Sequence, residues 1–368
     1  MRILLIGEYS NVHATLGQAL KSLGHDVTVL SNGDFWKDYP RDINLERRPG
    51  KIGGLCYLWK VKRLLPQLRG YDVVQLINPM FLELKAERLF SIYRTLRRQN
   101  ASMFLGGFGM DWYWINTCRT EKHLRYSDFN IGDTLRTDPC AMEEVADWCG
   151  TAKERLNRMI AEDCDGIICG LYEYWTCYSR HFKMKSTYIP FPIDCSHLPA
   201  ITHTIPSRLK VFIGINKSRS AYKGTDIMLR ETQSVVAENQ EDMELTIAES
   251  VPFDQYQHLL DDSDVLLDQL YSYTPAMNAL MAMSKGILCV GGGEPEHYEH
   301  LGEHRLHPII NVTPEDGSVR SAMEHLLRHK EDIPRLRQES QDYVKHHHDA
   351  LRVAEAYLRF WHEKGRNR

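Results

Sequence analysis

Three fixed cations in one glycine-bounded loop, Gly214-Ile-Asn-Lys-Ser-Arg-Ser-Ala-Tyr-Lys-Gly224, are the residues of this chain best suited to a chemical task. Lys217, Arg219 and Lys223 lead straight into an amphipathic segment over 225–236. A helix start presents N–H groups without intrahelical partners and a partial positive charge, so cations and helix together suit a diphosphate. The plain alternative is a solvated basic loop, which gives no reason for three like charges at one strand end.

Other candidates lie in both halves of the chain. The run Gly291-Gly-Gly-Glu-Pro-Glu296 lets a backbone approach a sugar or phosphate closely at Gly292 and Gly293, with Glu294 and Glu296 in the same turn; its alternative is a tight turn alone. Earlier, Asp111 ends the run Gly106-Gly-Phe-Gly-Met-Asp111 and is a carboxylate candidate for stabilising positive charge or taking a proton, or else caps a turn. Trp112, Tyr113 and Trp114 beside it either stack on a sugar or cover the local chain. Ser10, Asn11 and His13 are polar groups at the end of the first apolar run, and His13 joins Asp111 as a catalytic candidate. The turn Gly7-Glu-Tyr-Ser-Asn-Val-His13 lacks the GxGxxG spacing of nicotinamide sites, and Gly7 can simply make that turn.

The elements that must position these residues follow a regular alternation. Short apolar runs at 3–6, 27–30, 73–76, 103–105 and 166–169 are separated by segments of helical period, as in βαβ units with a parallel sheet. A long polar and aromatic insertion spans roughly 107–150. The prolines from Pro190 to Pro206 interrupt the pattern and mark a linker. Beyond it come strands at 209–213, 245–248, 265–267 and 287–290, with helices from about 223, near 255 and over 275–284. The expected architecture is therefore α/β, two doubly wound Rossmann-like domains facing across a cleft at the carboxyl ends of both sheets. The first domain is expected over 1–195 and the donor domain over 205–345, with a helical tail over 333–362 whose end, about 346–368, packs back on the first domain.

The order strand, glycine, basic loop, Lys-Gly, helix resembles the family-four retaining glycosyltransferases of the GT-B type. The resemblance extends through Val251-Pro-Phe-Asp-Gln-Tyr256 and from Asp264 to Gly286, covering the whole second domain. It implies that Lys223, with Arg219 or Lys217, holds the diphosphate of a nucleotide sugar, and that Glu296 occupies the family's Gly-Gly-x-x-Glu position. It also implies a two-domain fold, retention, and a leaving group neutralised without a metal. The family carries two glutamates spaced by seven residues where this chain has Tyr273 and Met281. Sugar and ribose contacts are left to Tyr271, Ser272, Tyr273, Met277 and Asn278. Nucleotide-sugar epimerisation on the same fold, and sugar-nucleotide binding without turnover, are the competing readings.

Composition sets the surroundings. A net charge of −4, from 45 basic and 49 acidic residues, gives no bulk reason to bind nucleic acid, so any anion site is local. The N-terminus reads as a first strand and not a signal peptide, and no run of about 18 apolar residues occurs. Nine cysteines without a CxxC pair read as reduced thiols in a cytoplasm. No cofactor or metal is expected. Asp262-Ser-Asp264 precedes a strand, at the wrong sheet end for a donor metal, and His346, His347 and His348 point about 100° apart on a helix, so they are read as surface residues that cannot chelate together. The basic amphipathic helix 84–98 is an ordinary packed helix or a contact to anionic lipid at the inner membrane face, the latter useful for a lipid-linked acceptor.

Overall fold

The computed structural model describes residues 1–249 and 251–366. They form two compact units, the first of Met1–Thr117, Glu144–Pro192 and Ala350–Arg368, the second of Cys118–Glu143 and Ile193–Asp349.

The first unit begins β1 (Arg2–Ile6), α1 (Val12–Ser22), β2 (Asp26–Ser31), β3 (Ile43–Asn44), α2 (Gly50–Leu64), β4 (Val73–Leu76), α3 (Ala86–Gln99) and β5 (Ser102–Gly107). Helix α4 (Trp112–Thr120) leads into a hairpin of β6 (Asn130–Ile131) and β7 (Thr134–Leu135), and α5 (Pro139–Trp148) leads back. The unit continues with α6 (Ala152–Asp163), β8 (Gly166–Cys169), α7 (Tyr172–Phe182) and β9 (Ser186–Tyr188). Its seven strands are parallel in the order β3-β2-β1-β4-β5-β8-β9. β1 lies between β2 and β4, with Ile3 beside Val27 and Val73, so the chain reverses its direction of winding there. Helices cover both faces of such a sheet, which is why β1 and the centre of β5 read as unbroken apolar runs and not as alternation. Leu4, Leu76, Leu105 and Ile167 meet Leu89, Tyr93, Leu96, Leu156 and Ile160 in one core.

The second unit holds β10 (Leu209–Ile215), α8 (Ser220–Lys223), α9 (Thr225–Glu238), β11 (Met243–Glu249), α10 (Phe253–Asp261), β12 (Val265–Leu267), α11 (Met277–Ser284) and β13 (Leu288–Gly291). α12 (Pro295–Leu301), β14 (Ile310–Asn311), α13 (Ser318–Arg328) and α14 (Ile333–His347) follow. The five strands are parallel in the order β11-β10-β12-β13-β14, so β10 and β12, neighbours in space, carry the loops that matter most below.

Three local readings change. The tail is two helices: α14 ends at His347, and α15 (Ala350–Lys364) joins the first unit, where Phe360 meets Phe104 and Trp361 donates its indole N–H to Gln75. The stretch Cys118–Glu143, inside the insertion expected in the first domain, groups with the second unit. On α3, Leu89, Ile92, Tyr93 and Leu96 are buried and Phe90 is half-buried, and the exposed positions include Arg88, Arg94 and Arg98, as in an ordinary packed helix.

Candidate functional site

At the carboxyl end of β10 the basic loop folds into two short turns. Asn216 accepts the N–H of Ser218 and so caps a 3-10 turn over Lys217–Arg219, after which α8 runs only to Lys223. Gly224 ends α8 at φ +73°, and a side chain there would meet Leu270 Cβ at 2.6 Å. Only glycine therefore lets the chain break at this point and restart as α9. The helix expected from Lys223 is thus two helices, with Lys223 at the end of the first and beside the start of the second.

Lys223 is near enough to Asp268, the first residue after β12, to pull on its carboxyl electrostatically, and the Asp268 N–H donates to Val290. Burial raises the Asp268 carboxyl to about 6, against the pull of Lys223, and its Oδ2 is buried without a hydrogen-bond partner. Arg219 lies over the ring of Tyr222 at 5.1 Å, and exposed Lys217 pairs with Glu249 at 2.7 Å. The loop thus holds one cation against a buried acid, one against an aromatic ring and one on the surface. Asn278, on α11, donates to the hydroxyl of Tyr256, whose ring packs against Gly214 at the start of the same loop.

The predicted sugar-side residues are engaged by the insertion. The Tyr273 hydroxyl accepts the N–H of Arg125 at 2.8 Å, and the Arg125 guanidinium lies over the Tyr273 ring. Arg125 also pairs with Glu294 and Glu296, and the Tyr126 hydroxyl donates to Glu294, which is only 2% exposed. Arg136 stacks over Tyr271 at 3.7 Å and donates to the Ala221 and Tyr222 carbonyls of the basic loop. Gly292 and Gly293 are crowded by their own chain, since a Cβ would sit 2.2 Å from the Ser272 carbonyl oxygen and 2.7 Å from Ile309. The glycine run therefore serves close packing of the turn, the alternative open from its sequence.

In the first unit, His13 and Asp111 are both buried. The Nδ1 of His13 is 2.8 Å from the Gly7 carbonyl, which fixes its proton there; burial lowers its pKa to about 4, so the ring is neutral, with Nε2 enclosed and without a partner. Asp111 caps α4 by accepting the N–H of Trp114, and its other oxygen accepts the Tyr178 hydroxyl. Burial raises its carboxyl to about 6, with the Trp114 and Tyr178 hydrogen bonds opposing. Ser10 and Asn11 adopt positive φ, 50° and 72°, in the turn that precedes α1.

A cavity of about 150 Å³ opens beside this turn, lined among others by Glu8, Tyr9, Asn32, Tyr57 and Glu83. Burial raises Glu8 to about 8, although it accepts the N–H groups of Ala14 and His13. Sequence reasoning passed over Glu8 and Glu83, and also Asp268, Arg125 and Arg136. Glu8 and Asp268 each follow a parallel strand by one or two residues, a position that flags both. Nothing local to residues 125 and 136 says that they reach the loops at 222 and 294.

The carboxylates of the short acidic motif are neutralised, Asp262 by Lys210 and Asp264 by Arg337. The histidine run departs from expectation. Helix α14 stops at His347, and His348 turns inward as its C-cap and is 1% exposed. Among the described residues, Glu303, His346 and His347 then bring ligand atoms within 4.8 Å of one another. Glu303 is already held by the N–H groups of Arg305 and Leu306 and by His347 at 2.7 Å, so the group is accounted for as a carboxylate cap hydrogen-bonded to His347.

No protein-family model and no curated protein matches this sequence. Solved structures do. A sucrose-phosphate synthase from Thermosynechococcus elongatus aligns with a TM-score of 0.63 at 12% identity over 99% of both chains. Anabaena HepE in complex with UDP and glucose aligns at 0.60 and 11%, over 99% of this chain and all of that one. A Listeria monocytogenes protein assigned as a UDP-N-acetylglucosamine 2-epimerase aligns at 0.55 and 11%, over 97% and 94%. At such identities the likeness is one of fold, and it runs the length of the chain: this protein has the GT-B fold of the nucleotide-sugar glycosyltransferases.

Proposed function

We propose that this chain is a glycosyltransferase that moves a hexose-type sugar from a nucleoside diphosphate sugar to a hydroxyl of a glycan or lipid-linked acceptor, with retention and without a metal. The observation that carries the reading is Lys223, held at the junction of two helices at the end of β10, where it acts electrostatically on Asp268 at the end of β12. Structures of the Anabaena HepE, which has the same fold, contain UDP and UDP-glucose, which makes a uridine nucleotide the first donor to test. On this reading Lys223 and Arg219 neutralise the departing diphosphate, lowering the barrier where charge develops. Tyr273, Asn278, Glu294 and Glu296 shape the sugar side, with Arg125 and Arg136 added to the set. Asp111 and His13 serve the acceptor side, where Asp111, with its raised pKa, takes a proton or stabilises charge near neutral pH. The setting proposed is the cytoplasm; no helix among the described residues is long and apolar enough to cross a membrane.

A thermal-shift panel of nucleoside diphosphates and their sugars tests the donor site, since a ligand at a hundred times its Kd stabilises by about 2.7 kcal/mol. A panel in which no nucleotide moves the transition refutes the reading. The Listeria neighbour supports epimerisation as a second reading, which predicts an isomerised sugar with no acceptor present. Tyr273 and Met281 in place of two carboxylates support a third, donor binding without turnover even when lipid-linked glycan is supplied.

A further inference from the structure

Helix α2 has two apolar faces. Gly53, Tyr57 and Val61 point into the first unit and are buried. Ile52, Leu55 and Trp59 are 79%, 68% and 63% exposed. At about 100° per residue these two sets are centred roughly 190° apart, so the exposed set forms a stripe on the outer face. Cys56 is exposed on its edge. Three large apolar side chains left in water along one helix mark a contact surface, since single exposed residues are ordinary but a contiguous patch is not.

The charge around the stripe identifies what covers it. Between positions 46 and 69 there are seven lysines and arginines and a single acid, Glu46, in a chain whose net charge is −4. Lys51 and Lys62 flank one side of the stripe and Lys60 the other, and the Arg63 guanidinium lies 5.4 Å over the Trp59 ring. Apolar residues ending in a tryptophan, bordered by cations, suit the boundary between acyl chains and anionic headgroups. A second copy of this helix would bring like charges together, and the cores of protein interfaces are depleted in lysine.

We propose that α2 docks the first unit onto an anionic lipid surface, with Ile52, Leu55 and Trp59 entering the interface and the surrounding lysines and arginines pairing with lipid phosphates. α3, the basic helix singled out from sequence, lacks a comparable outer apolar stripe, because Leu89, Ile92, Tyr93 and Leu96 are in the core and Phe90 is half-buried against it. The inner face of α2 carries Tyr57, which lines the 150 Å³ cavity with Glu8 and Glu83.

The test is flotation of the full chain with vesicles of phosphatidylcholine containing 30 mole per cent phosphatidylglycerol, beside pure phosphatidylcholine. The wild type is expected to float with the anionic vesicles, and an Ile52→Ser, Leu55→Ser, Trp59→Ser variant to lose at least tenfold in partitioning with an unchanged melting temperature. Arg94→Gln with Arg98→Gln on α3 should retain binding within about twofold. No flotation of the wild type, equal partitioning of wild type and triple variant, or concentration-dependent dimerisation abolished by the triple variant without vesicle binding each overturns the proposal. The readout is independent of turnover, so it separates from failure of the transferase reading.

Discussion

Replacing Lys223 by alanine has two consequences that can be measured separately. A charge-assisted contact to phosphate contributes about 1.5–3 kcal/mol, so a nucleoside diphosphate should bind roughly 10- to 150-fold more weakly, whereas the free nucleoside should change by less than about twofold. The second consequence concerns Asp268. Its carboxyl is already raised from 3.8 to about 6 with Lys223 present. Its ionised form therefore costs the folded state about 3 kcal/mol at pH values above both figures, and no more than a small part of that below the unfolded value. Without the cation the folded pKa moves higher still. The variant should lose stability most above pH 7 and recover towards wild type as the pH falls through 6 towards 4. Adding Asp268→Asn should restore stability near pH 7 but leave nucleotide binding weak. Isothermal titration with UDP and uridine, beside urea unfolding across pH 4–8, supplies both arms. Equal loss of affinity for UDP and uridine, or recovery of UDP binding in the double variant, would refute the phosphate role.

The remaining expectations are briefer. Glu8 is raised from 4.5 to about 8, so its ionisation destabilises the fold fully above pH 8 and not at all below 4.5. The stability of wild type should therefore gain about 2 kcal/mol relative to Glu8→Gln as the pH falls from 8 to 6, read by denaturant unfolding; parallel pH profiles count against it. Gly292→Ala drives a Cβ to 2.2 Å from the Ser272 carbonyl and should cost about 1–3 kcal/mol or more, seen as a lowered melting temperature. Asp111→Asn keeps a residue type that caps helices well, so the melting temperature should fall by no more than a few degrees while donor binding is spared and turnover drops. Unchanged turnover removes Asp111 from the reaction.

Much of the fold is legible in the sequence because parallel strands buried on both faces leave unbroken apolar runs, and because glycine and proline mark where helices break. Gly214, the basic loop and Gly224 fall in order along the chain, so a basic, glycine-bounded loop after β10, the proposed diphosphate site, could be read from composition and position alone. The tail was less legible, since residues 333–364 keep a helical period across the break at His348 and Asp349, and the separation of α14 from α15 depends on where each packs.

Tertiary structure decided what no spacing records. Arg125 and Glu294 are 169 residues apart, and Arg136 and Tyr222 are 86 apart, yet these pairs fix the insertion to the loops of the second unit. Their contacts depend on which surfaces meet after folding, and local pattern carries no trace of that. The same holds for α2, whose stripe of Ile52, Leu55 and Trp59 reads like any core-facing helix until the burial of Tyr57 and Val61 shows which side faces inward. The sequence by itself determined two parallel-sheet units and one loop that gathers three cations, because backbone periodicity and fixed charge are local. Folding determined the rest, because burial sets the protonation of Glu8, Asp111 and Asp268 and selects which of the basic helices keeps an apolar face in water.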